Sequence, residues 1–143
     1  RTFSRAAGFT ITELLVVVSL MAIVGAIATP KFVTMKGQLA ASRDVRMLVA
    51  TLGEVRAEAL RLRTDVRVTF TSTAMHWDIY DDGTEDGTFA LSNSSAWVGG
   101  TPSAIVFNGL GLTRGVATTQ TITVNNRGER LAFSINRNGY VWI

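Results

Sequence analysis

Hydrophobic and polar positions change rhythm twice along this chain. From Leu14 to Ala28 the only polar side chain is Ser19, and Val16-Val17-Val18 and Ile23-Val24 are strongly apolar. A helix of a soluble protein keeps a polar stripe, whereas this segment is apolar on every face. Counted from Phe9 it is about 20 residues, or roughly 30 Å of helix, the hydrocarbon thickness of a bilayer. The pattern predicts a membrane-inserted helix over residues 9–30. Thr29-Pro30 is expected to kink the helix, because proline removes a backbone donor and restricts its predecessor, and helix should resume from about Lys31.

Over residues 31–63 the period becomes that of an amphipathic helix. Val45, Leu48, Leu52, Val55, Ala59 and Leu62 are spaced 3-4-3-4-3, which gathers them on one face. Arg46, Glu54, Arg56, Glu58, Arg61 and Arg63 lie mostly off that stripe. The stripe lasts under three heptads and a strand pattern follows at once, so packing on the chain's own sheet is favoured over a coiled coil. Lys31 to Asp44 is poorer in apolar residues, contains Gly37, and reads as a connecting stalk.

From Thr64 the period drops to two. Asp65 to Thr71 alternates apolar and polar as a half-buried strand should. Ala74 to Tyr80 follows, with Trp77 and Ile79 on one face, and then a loop rich in Asp and Gly from Asp81 to Gly87. Thr88 to Leu91 and Ala104 to Phe107 read as short strands joined by a Ser/Gly/Pro-rich connection. Thr121 to Asn125, Arg130 to Ile135 and Tyr140 to Ile143 complete the set. Asn138-Gly139 is a strong hairpin signal because both residues tolerate positive φ. The fold class expected is α+β: a long N-terminal helix, transmembrane then amphipathic, packed on an all-β C-terminal domain over 64–143. That domain is expected as two sheets or a β-sandwich.

Charge sharpens this division. Between Lys31 and Arg63 there are seven basic and three acidic residues, and from Thr64 onward five and seven, so the net +3 belongs to the helix. A high pI of that origin says little about nucleic acid. Cysteine is absent, which removes disulfides, thiol nucleophiles and thiolate metal sites. No phosphate-cradling glycine loop or catalytic constellation is recognisable, so neither an enzyme nor a cofactor is expected.

Glu13 is the anomaly. A carboxylate near bilayer depth is expensive and is normally paired or functional. Its neighbours at three and four residues, Phe9, Thr10, Val16 and Val17, carry no cation. Were the chain cut between Gly8 and Phe9, Phe9 would gain an ammonium group within reach of Glu13 in the same chain or a neighbour. A plain anchor with Glu13 snorkelling to the headgroups is the alternative.

Gly8 before the cut, Phe9 after it, Glu13 four residues on and the apolar run to Pro30 resemble the class III signal of type IV prepilins and type II secretion pseudopilins. The resemblance implies a leader over residues 1–8, cleavage after Gly8 and N-methylation of Phe9 by a prepilin peptidase. It implies that Glu13 answers the ammonium of an adjacent subunit during assembly, with Pro30 in the assembly helix. The implied partners are other pilin or pseudopilin subunits, the peptidase, the inner-membrane assembly platform and the bacterial inner membrane. Arg1 and Arg5 favour a cytoplasmic N-terminus, while Lys31, Lys36, Arg43 and Arg46 beyond the span argue the reverse. The resemblance decides for a single-pass protein with its C-terminal domain periplasmic.

The β-rich half is similar to the FimT/GspH-type minor pilins, on Ile105-Val106-Phe107-Asn108-Gly109-Leu110-Gly111 and a last hairpin from Ser134 to Val141. DNA-binding members of that group carry Gly-Arg-x-Arg at this hairpin; here the positions read Gly139-Tyr140-Val141-Trp142. Arg127, Arg130 and Arg137 are the remaining candidates for DNA phosphates, and such contacts would be strongly salt-dependent. The leading expectation is a structural subunit of a type IV pilus or secretion pseudopilus, the alternative a DNA-binding minor pilin for DNA uptake. Asp78, Asp81, Asp82, Glu85 and Asp86 offer oxygens for calcium but fit no EF-hand spacing, so a solvated turn and no metal are expected. His76 has no cysteine partners and reads as structural.

Overall fold

The computed structural model describes residues 9–116 and 118–143. The chain divides into two units, Arg1–Met35 and Lys36–Ile143. One helix, α1 (Ile11–Leu62), passes through both. It runs on through Thr29-Pro30, in keeping with the one long helix expected from the sequence. Proline withholds one N–H from the ladder, and the surrounding turns carry extra side-chain bonds: Thr29 Oγ1 donates to the Gly25 carbonyl at 2.7 Å and Thr34 Oγ1 to the Pro30 carbonyl at 3.1 Å.

In the first unit every residue from Phe9 to Met35 is exposed. In the second, the helix buries Gly37, Ala41, Asp44, Val45, Leu48, Leu52, Val55 and Ala59. The packed face thus begins two turns earlier than the apolar stripe, with small residues in place of large ones. Leu62 is only half-buried.

The remaining chain forms two antiparallel sheets. The first has the order β3-β2-β1-β5-β6 and the second β4-β7-β8-β9. The strands are β1 (Val66–Phe70), β2 (Ala74–Ile79), β3 (Gly87–Ala90), β4 (Ser95–Trp97), β5 (Ile105–Phe107), β6 (Thr113–Arg114), β7 (Thr119–Asn126), β8 (Glu129–Asn136) and β9 (Val141–Trp142). β4 falls in the stretch the sequence assigned to a connection, and β6 in one to which it assigned no element. Their lengths, three and two residues, are too short to show a period.

Register puts the apolar sets on the inner faces. Val66, Val68 and Phe70 stand opposite Ile79, Trp77 and Met75, and Ile122 and Val124 of β7 join Phe133 and Ile135 of β8. These side chains form one cluster with Val45, Leu48, Leu52, Val55 and Ala59 of the helix.

Polar bonds lace the two sheets. Trp97 of β4 donates its indole N–H to the Thr71 carbonyl at 2.7 Å and meets the Phe70 ring edge-on at 5.4 Å. At the other side, Thr113 of β6 donates its N–H to the Arg137 carbonyl at 3.0 Å and its hydroxyl to the Asn136 carbonyl at 2.9 Å. Asp44 supplies a third tie. It is 2% exposed and accepts from the Ser92 N–H (3.0 Å), the Ser92 hydroxyl (2.6 Å) and the Ser95 hydroxyl (2.6 Å). Asn126 then donates to the Ser95 oxygen at 2.8 Å, and among the described residues no buried side-chain N or O lacks a partner.

The acidic loop between β2 and β3 folds back on itself. Asp78 accepts from the Asp82 and Gly83 N–H groups, Asp82 from that of Thr84, and Asp86 from that of Ile79. Asp81 is bound by the Arg67 guanidinium, whose Nη2 lies 2.8 Å from Oδ2. That hydrogen bond above all holds the Asp81 carboxyl below the usual aspartate range, against the opposing effect of burial and with some help from the positive charge of Arg67.

Two outcomes are expected from this packing. Asp44→Ala leaves three donors without an acceptor and should destabilise the fold by about 3 kcal/mol, while Leu52→Ala should cost about 2–5 kcal/mol. Denaturant titration of the detergent-solubilised chain, followed by the fluorescence of buried Trp97, measures both. The Arg67–Asp81 contribution has the sign of a depressed acid. It is complete above an unfolded aspartate pKa of about 3.9 and disappears as pH falls through the lower folded value. Carboxyl NMR should show Asp81 returning to the ordinary range in Arg67→Ala.

Candidate functional site

The first turn of α1 carries a reciprocal cap. Thr10 precedes the helix, and its hydroxyl oxygen accepts the Glu13 N–H at 3.2 Å. In return Glu13 Oε2 accepts the Thr10 N–H and the Thr10 hydroxyl, each at 3.0 Å. This is the Thr-x-x-Glu capping box, which satisfies otherwise orphaned donors of a helix start. A carboxylate also sits well there because the helix N-terminus carries partial positive charge. Sequence reasoning looked for a cation near Glu13 and overlooked the threonine three residues before it, although Thr10 was the readable signal.

Beyond the cap, Leu14, Leu15, Ile23, Val24 and Ile27 are all more than half exposed. The helix contains a window of mean hydropathy 2.4, none of it buried, and is long and apolar enough to cross a membrane. Ser19 causes no break, since its hydroxyl donates to the Leu15 carbonyl at 2.7 Å. Phe9 and Glu13 share this exposed end of the helix. The proposed cut falls partly outside the described residues, since Gly8 and the whole stretch 1–8 lie there. Pro30 is within α1 and exposed.

The three arginines weighed for DNA do not come together. Arg127 is in the tight turn between β7 and β8, at φ 51°, and Arg130 is at the start of β8. Arg137 follows the other end of β8, about 23 Å away at ~3.3 Å per residue. All three are exposed. His76 bridges three neighbours through its ring, with Nδ1 at 3.0 Å from Glu85 and 2.9 Å from the Thr88 hydroxyl, and Nε2 at 3.3 Å from the Thr71 hydroxyl. Among the described residues no three His, Cys, Asp or Glu side chains are grouped to hold a metal ion.

Sequence reasoning also placed Arg56 among the residues mostly off the apolar stripe, and the fold gives it a structural part. Its Nε donates to the Gly111 carbonyl at 3.0 Å and its Nη2 to the Asn138 carbonyl at 3.1 Å, and the guanidinium carbon lies 4.8 Å from the centre of the Tyr140 ring. Arg56 therefore ties the loop after β5 to the hairpin before β9. The two loops touch so closely that a Cβ on Gly139, at φ 76°, would lie 2.1 Å from the Gly111 oxygen. Of the Asn138-Gly139 pair, only Gly139 takes the positive φ. A Cβ on Gly109 would likewise fall 2.6 Å from the Arg63 backbone at the helix end.

Comparison with known proteins agrees with this anatomy. Residues 44–139 match the family described as type II transport protein GspH, and residues 3–29 match the prokaryotic N-terminal methylation motif. Among solved structures, the type IV minor pilin FimU of Pseudomonas aeruginosa superposes with a TM-score of 0.61 at 14% identity, over 72% of this chain and 87% of that one. The minor pseudopilin EpsH of the Vibrio cholerae type 2 secretion system gives 0.54 at 14% identity, over 72% and 94%. No curated protein sequence matches significantly. The long helix, the two antiparallel sheets and the matched span of 44–139 together make the chain a member of the GspH family, with a prepilin-type methylation motif at its N-terminal end.

Proposed function

We propose that the chain is a non-enzymatic minor subunit of a type IV pilus or a type II secretion pseudopilus. A prepilin peptidase cuts between Gly8 and Phe9 and methylates the new Phe9 amine. The subunit waits in the bacterial inner membrane on the apolar segment 9–30, with residues 64–143 periplasmic, and the inner-membrane assembly platform draws it into the filament. The segment 31–63 continues the stalk.

The observation that carries this reading is the Thr10–Glu13 cap standing at the head of an apolar helix segment that is exposed on every face. A carboxylate has about four lone-pair sites, and both bonds from Thr10 go to Oε2. The cap keeps the acid satisfied in the lone subunit while capacity remains for a second donor. The ammonium of a neighbour's Phe9 is that donor, and in a low-dielectric surrounding such a pair is worth far more than in water. Packing apolar helices side by side replaces lipid contacts with protein ones, which gives little directional preference. Glu13 supplies the register.

Processing and assembly are separately testable. Gly8→Phe should block the cut, so that intact-mass measurement finds residues 1–8 retained; normal processing would remove the peptidase from the scheme. Glu13→Ala should leave membrane insertion intact and reduce recovery in sheared filaments. Glu13→Gln separates two roles of the side chain, because glutamine also completes a capping box. It should fail as Glu13→Ala fails, and full incorporation of the glutamine variant would show that capping, not charge, is what assembly needs.

A further inference from the structure

In the second unit, α1 does not cover the inner face of the first sheet completely. A groove of about 260 Å³ remains between the helix and β1–β2, lined by Thr51, Glu54, Val55, Glu58, Trp77 and Ile79. Val55 is buried and Trp77 and Ile79 are half-buried, so the floor is apolar. Trp77 is a fixed wall, because its indole lies so close on β3 that a Cβ on Gly87 would come within 2.0 Å of the ring. The space falls below the roughly 300–1,000 Å³ of small-molecule pockets. It admits one long side chain.

The helix rim of the groove carries two like charges. Glu54 and Glu58 are four residues apart and therefore neighbours on one face, an unfavourable spacing for two carboxylates. Glu58 is answered by Arg61, whose Nε donates to Oε2 at 2.8 Å. Glu54 is exposed and has no hydrogen bond or ion pair among the described residues. Its helix neighbours at three and four residues, Ala50, Thr51, Ala57 and Glu58, supply no cation. An unanswered carboxylate thus borders an apolar slot with an aromatic wall.

We infer that this groove takes one basic side chain, an arginine or lysine, from a different subunit of the same filament. The alkyl stem of such a residue lies on the Val55 and Ile79 floor while its charged head reaches Glu54 at the rim, as long cationic side chains do at apolar surfaces. The Trp77 ring adds attraction for a cation beside it. Complementary charge of this kind selects which neighbour fits more than it sets how tightly the neighbour binds. The inference rests on the filament reading above and names the chemistry of one neighbour within it. A second copy of this chain is not the occupant. Seating another of its own surfaces here would make a heterologous contact that repeats from copy to copy, whereas a minor subunit stands among unlike ones.

The sequence has no cysteine, so Thr51→Cys gives a single attachment point at the groove. The full-length variant is labelled with a maleimide–diazirine in bacterial membranes that contain the assembly machinery and is then illuminated, and mass spectrometry locates the residue it joins. The expected product links the groove to an unlike subunit that bears its own N-terminal methylation motif, within a few residues of an arginine or lysine. Glu54→Lys, on the exposed rim, should lower the yield about five-fold, and changing the mapped basic residue of the partner to glutamate should restore it. A product with a second copy of this chain, a product with a segment that carries no basic residue, or an unchanged yield in Glu54→Lys overturns the inference. The same label on Val17→Cys is run alongside to report packing of the apolar helix. Cross-linking there with none from Thr51→Cys sinks the groove contact and leaves assembly standing; loss of both sinks the filament reading as well.

Discussion

The helix face from Ala41 to Ala59 is the surface on which both sheets close. Neither sheet could stand alone: β9 and β6 are two-residue edge strands, and small sheets need an apolar partner to be stable. Leu48 and Leu52 are fully buried among side chains from both sheets, each worth about 1.5–3 kcal/mol of transfer energy. The same face ends on Gly37, where a Cβ would approach the Asn126 carbonyl oxygen to 3.0 Å. The small residues at its N-terminal end are therefore close-approach positions, and the large ones farther along fill the core. Asp44 lies where the two regimes meet, and its three bonds reach Ser92, between β3 and β4, and Ser95, the first residue of β4, where the chain passes from one sheet to the other.

What periodicity could reveal, it revealed. The stripe from Val45 to Ala59, the alternation of β1 and the long pairing of β7 with β8 are all repeated patterns, and repetition is what a sequence displays. The single contacts were invisible for the opposite reason. Asp44 looks like one more charge on a stalk until its acceptor atoms are seen to meet Ser92 and Ser95, roughly 50 residues away in the chain. Arg56 is off the apolar stripe by any count, and only the approach of two distant loops gives its N–H groups their acceptors. Trp97 was the one mark of β4 in a stretch of Ser, Asn and Gly. At the head of α1 the residues were readable, and the inference missed the cap because it sought charge and overlooked hydrogen bonding.

Apolar helix packing and polar specificity do different work in such a molecule. The segment from Leu14 to Ala28 has no preferred face, since its exposed surface is aliphatic all round. Among like helices in lipid, a surface of that kind sets neither axial position nor rotation. A carboxylate fixed to its own backbone by a capping box has a defined position, because Thr10 holds Oε2 at 3.0 Å in two bonds. An ion pair made to such a group is geometrically selective in a way that a freely swinging glutamate is not, and the strength of the cap limits how far the acid can be drawn from its turn.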